Sequence, residues 1–124
     1  MTINDAIRYF LSVRNQVHLW HWQTEIESEH EALGEFYNAW LPLVDKYIEC
    51  YIATNERPKG PLAGSTAMGY EVGASKIYIT GVAQYLLTGE IRTLSTDSDM
   101  QNILDEMVSL AKQTVFLLKL KKVE

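Results

Sequence analysis

The fold turns on residues 21–49, "HWQTEIESEHEALGEFYNAWLPLVDKYIE", where His21 and Trp22 stand just before a polar turn and His30 just after it. Beyond the turn, Leu33, Phe36, Tyr37, Trp40, Val44, Ile48 and Tyr51 recur at the spacing of one helix face, the strongest periodic signal in the chain. Pro42 interrupts the pattern. Its ring removes a backbone donor and crowds the carbonyl of Asn38, so a kink or a break is expected there. Ahead of the turn, Ile3, Ile7, Phe10, Leu11 and Val17 follow the same period from Ile3 to Thr24. Arg14, His18 and His21 project from the stripe of Ile7 and Leu11 and are expected to face inward. Two helices joined around residues 25–28 are the result.

Outward from this pair, residues 55–64 have the proline and glycine density of a loop, which continues irregularly toward Gly73. A third helix is expected over Ala74–Leu94 from Tyr78, Val82, Tyr85 and Leu86, although Gly81, Gly89 and the strand-like "KIYIT" oppose it. "STDSD" supplies capping residues for a fourth, marked by Met100, Ile103, Leu104, Met107, Ala111, Thr114, Val115 and Leu118. The reading is all-α: a four-helix bundle with a long connection between helices two and three, the connectivity of ferritin-like folds.

The chain's 124 residues, 47% of them hydrophobic and 22% charged, suit a single domain, 1–124, with its own core. Apolar runs are too short to span a membrane and the first residues lack the basic start of an export leader. A lone cysteine, Cys50, fits a reducing compartment, so a cytoplasmic location is expected. The formal charge of −5 argues against a nucleic-acid partner, and Lys119, Lys121 and Lys122 read as partners of a helix dipole.

Potential metal ligands gather in the first half of the chain: His18, His21, His30, Asp45 and Glu49, with glutamates at 25, 27, 29, 31 and 35 around the turn. In an antiparallel pair His21 and His30 lie at the same height and can share a site. Asp45 and Glu49, one turn apart on one face, are hard oxygen ligands. They lie fifteen residues or more beyond His30, about 22 Å along a helix, so only a second copy could bring them to the histidines. Two copies packing their second helices antiparallel about a two-fold axis would form two equivalent composite sites.

These residues resemble the ferroxidase signature of the Dps-like miniferritins, in which a His-Trp near the end of the first helix is followed by a His opening the second, then by Asp and Glu at the offsets seen here. The resemblance carries over His21, Trp22, His30, Asp45 and Glu49 and covers about the first 53 residues with specific motifs. It implies a homo-oligomer with two-fold interfaces, a dodecameric shell, in which iron is bound between subunits, oxidised from Fe2+ by peroxide or oxygen and stored. The family has a further carboxylate one turn after the second histidine where this chain has Gly34, its turn is longer, and the basic extension some members use on DNA has no counterpart ahead of Ile3. Glu27, three residues before His30, and His18, one turn before His21, are the expected substitutes for that ligand. The "HxxHWQT" arrangement is also similar to short ferritin-like proteins of tailed bacteriophages.

Two other readings stand beside this one. A ferritin-like oligomer without ferroxidase activity, kept for assembly or partner binding, accounts for Gly34 and Pro42. An intramolecular site of His18, His21 and His30, resembling that of the DinB-like bundles, would hold Zn2+ or Ni2+ within one chain. Trp20, Trp22 and Trp40 are expected to pack, and the glutamates other than Glu27 to form a solvated helix start.

Overall fold

The computed structural model describes residues 1–120, and these form four α-helices with no strand. They are α1 (Ile3–Gln23), α2 (Glu27–Thr54), α3 (Ala74–Thr88) and α4 (Ser98–Lys119), with a 3-10 turn over Glu90–Thr93. Lys121 and Lys122 lie outside the described residues. No helix among the described residues is long and apolar enough to cross a membrane.

Local chemistry sets the helix ends. Thr2 and Asp5 form a reciprocal capping box at the start of α1, satisfying donors that the helix itself leaves open. α2 starts without a side-chain cap, but Glu27 and Glu29 place negative charge in its first turn, where the helix dipole favours it. α2 continues unbroken through Pro42. α3 is shorter than the periodicity predicts: it stops at Thr88, and Gly89 leaves the helix in extended backbone while its N–H donates to the Tyr85 carbonyl, a position where a Cβ would collide with Tyr85. The β-branched "KIYIT" stretch is helical because Ile79 and Val82 are buried against the core, which outweighs propensity.

One apolar core is shared by all four helices. At its centre Phe10 of α1 meets Trp40 and Tyr47 of α2 edge to face, at ring separations of 5.9 and 5.3 Å, and Phe36 stacks on Trp40. The buried Trp40 indole donates to the Phe10 carbonyl at 3.0 Å, so the ring locks the two helices without stranding its polar atom.

The chain path follows from long-range hydrogen bonds. The segment 55–73 leaves α2 beside the start of α1, where the Asn4 side chain donates to the Lys59 carbonyl. It then returns along α1. Gln16 grips the Met68 backbone at both its N–H and carbonyl, and the Trp20 indole donates to the Gly69 carbonyl. α3 therefore begins at the end where α2 begins, and α4 returns antiparallel, packing on both α2 and α3. At the opposite end Arg92 donates to the carbonyls of Leu86 and Gln101 and to Asp105, knotting the α3–α4 connection.

Candidate metal centre

The turn between α1 and α2 is only three residues, 24–26, and it brings the histidines on its two sides face to face. The His21 and His30 rings stack at 3.7 Å with their planes 16° apart. Each ring bonds the backbone of the other residue: His21 Nδ1 lies 2.6 Å from the His30 carbonyl oxygen, and His30 Nδ1 lies 2.6 Å from the His21 carbonyl oxygen. A carbonyl oxygen only accepts, so both Nδ1 atoms carry hydrogen. In a neutral imidazole this leaves the lone pair on Nε2, the tautomer lock found behind metal-ligating histidines. His21 is half-buried and His30 exposed, so the pair opens onto the surface.

Gly34 belongs to this arrangement. A Cβ there would lie 2.9 Å from His21 Cε1 and 3.3 Å from its Nδ1. The position that the family resemblance reads as a missing carboxylate is the floor on which the His21 ring rests.

His18 does not join the pair. Its ring stands 6.1 Å from that of His21 and is layered instead between Trp22, at 3.8 Å, and Tyr37, at 4.2 Å. Partial burial holds the His18 imidazole below the usual histidine range, with His21 and Arg14 adding repulsion. Trp22 is 67% exposed and stacks on His18 rather than packing in the core, unlike Trp20 and Trp40. Glu27 is exposed and lines an open cleft with Glu25, Glu31, Val72 and Leu118. Asp45 and Glu49 are exposed on α2.

Among the described residues no three His, Cys, Asp or Glu side chains gather to hold a metal ion. The intramolecular site of His18, His21 and His30 is therefore not assembled, and the reason is geometric. An imidazole binds along the lone pair in its own plane, and two nearly parallel planes have no nearby point in common. One chain offers two prepared nitrogen donors on its surface and two exposed carboxylates farther along α2.

Sequence reasoning missed Glu29. It is 9% exposed and accepts hydrogen bonds from Thr24 Oγ1, Tyr70 (2.7 Å) and Ser75 (2.6 Å). A signal was present: positions 29, 33, 36 and 40 share one helix face, so Glu29 extends the core stripe by one turn, while the neighbouring glutamates fall to either side.

No curated protein and no solved structure matches the chain. A model of a family of unknown function, DUF5856, matches residues 21–118, a span that opens at His21, contains His30, Gly34, Asp45 and Glu49, and extends nearly to the end of α4. The match takes in α2, α3, nearly all of α4 and the histidine pair, and the chain belongs to the DUF5856 family.

Proposed function

We propose that this chain is a ferritin-like subunit of the Dps type, taking Fe2+ as its substrate at a site completed between two copies and storing the oxidised product in a symmetric shell. The observation that carries this reading is the reciprocal Nδ1–H to carbonyl pair, which leaves two Nε2 lone pairs prepared at the surface. The helix order, with segment 55–73 returning along α1 as a crossover, supports the ferritin-like assignment.

In this reading His21 and His30 supply neutral nitrogens, and the second copy's Asp45 and Glu49 supply charge-balancing oxygens, the mixed donor set that suits Fe2+. Because the two ring planes do not converge, the pair serves two ions without rearrangement, whereas a single shared ion requires one ring to turn. Each Fe2+ gives one electron to peroxide or oxygen. His18, layered between Trp22 and Tyr37, and Glu27, which lines the cleft beside the turn, are left out of the ligand set.

Complementation tests the composite site. His21→Ala/His30→Ala and Asp45→Asn/Glu49→Gln proteins should each fail to oxidise Fe2+ with peroxide. Dissociated, mixed and reassembled, they should recover about a quarter of wild-type activity, since half the pairs are mixed and each mixed pair holds one intact site of two. No recovery, or a wild-type protein that light scattering finds as single chains, removes the proposal. A large particle without turnover identifies the non-catalytic oligomer.

A further inference from the structure

We propose that Glu29 is a positioning residue: its buried carboxylate ties Thr24, Tyr70 and Ser75 together and thereby holds the His21–His30 pair in register. The consequence for metal binding rests on the site proposed above; the consequence for the rings does not.

Three segments converge on this carboxylate. Thr24 Oγ1 and Tyr70 donate to Oε1, and Ser75 Oγ donates to Oε2, so the end of α1, the 55–73 connection and the start of α3 all bond one side chain of α2. A leucine at position 29 would continue the apolar stripe of Leu33, Phe36 and Trp40, so packing does not call for an acid. A buried carboxylate stripped of its bonds is costly, so the three donors are held against it.

The link to the histidines runs through the turn. Thr24 Oγ1, while donating to Glu29, accepts the Ile26 N–H at 3.1 Å, so Glu29 and the turn backbone hold the same hydroxyl from two directions. His21 and His30 flank this turn, and their two bonds cross it on its solvent side. Glu29 fastens the core side. At 2.6 Å neither imidazole bond has slack, and sliding the end of α1 against the start of α2 by about an ångström takes both beyond good hydrogen-bond geometry.

The test reads the rings without metal, then with Co2+. In 15N-labelled wild-type protein, long-range imidazole correlations should show Nδ1–H for both His21 and His30. Glu29→Ala should lose that lock, giving rings that exchange between tautomers, and should weaken Co2+ binding by about 10- to 100-fold. Glu29→Gln, which keeps an acceptor for Thr24 and Tyr70, should retain the lock. Ile91→Val, a core truncation at the opposite end, should lower stability and leave the tautomers alone. Should Glu29→Ala not fold, Tyr70→Phe carries the test, with a measurable fraction of Nε2–H expected at His21 or His30. Unaltered Nδ1–H signals in Glu29→Ala, or in Tyr70→Phe where that variant is the one read, overturn the proposal. A wild-type protein with locked rings that ignores Co2+ defeats the metal site and leaves the role of Glu29 standing.

Discussion

Two helical glycines offer a direct measurement of how firmly the His21 ring is seated. Replacing a mid-helix glycine by alanine ordinarily stabilises by about 1 kcal/mol through backbone entropy alone. Gly81, in α3, has nothing within 4 Å of an added Cβ, so Gly81→Ala should show the full gain. At Gly34 the added methyl would stand 2.9 Å from His21 Cε1, and the ring, as the free end of a side chain, must yield rather than the backbone. Moving it forfeits the bond of its own Nδ1 to the His30 carbonyl, which contributes about 0.5–1.5 kcal/mol, whereas the bond from His30 goes to the His21 backbone and does not depend on the ring. Exposure to water favours the lower part of that range. The propensity gain is thus largely offset, and Gly34→Ala should lie within about 0.5 kcal/mol of wild type, separated from Gly81→Ala by about 0.5–1.5 kcal/mol. Urea unfolding with unchanged m-values, alongside imidazole NMR of the same samples, measures both quantities. Equal stabilisation at the two sites with the His21 tautomer unaltered would refute the reasoning, since the ring could not then be resting on Gly34.

Two further outcomes follow from buried polar atoms. The Tyr47 hydroxyl is fully buried with no hydrogen-bond partner among the described residues, and burial pushes its phenol up to about 12. Tyr47→Phe should therefore stabilise by about 1 kcal/mol in thermal or urea unfolding. Above pH 10 the unfolded chain releases a proton that folded Tyr47 retains, so wild-type stability should fall between about pH 10 and 12, and this limb should be shallower in the variant. Gln16→Ala removes both bonds to the Met68 backbone and should cost about 1–3 kcal/mol, with faster amide exchange concentrated in residues 59–70.

α1, α2 and α4 were legible because each carries an apolar stripe long enough to outweigh local exceptions, Pro42 included. α3 was legible in its start but not its end: apolar residues continue to Ile91 and Leu94, and the helix stops instead before Gly89, the glycine that opposes it in the sequence. The meeting of His21 and His30 could be read from their matched distances to a short turn. Their mutual backbone bonds could not, because these depend on side-chain rotation rather than residue type. Gly34 misled for a related reason. Compared with a family motif it is a lost ligand, whereas in the fold it is clearance for a ring. Glu29 was hidden among alternating glutamates, whose composition suggests a solvated helix start; only projecting the core stripe backward singles it out.

The layering of Trp22 on His18 gives the protein an intrinsic optical reporter. Trp20 and Trp40 sit in the dry interior, so the water-exposed indole of Trp22 should dominate the red edge of the fluorescence emission. Any molecule that settles over the imidazoles, whether a metal ion or another subunit, will alter the surroundings of that one fluorophore while the other two remain dark to it. Occupancy at this surface can be followed in dilute solution, in real time, on unlabelled material.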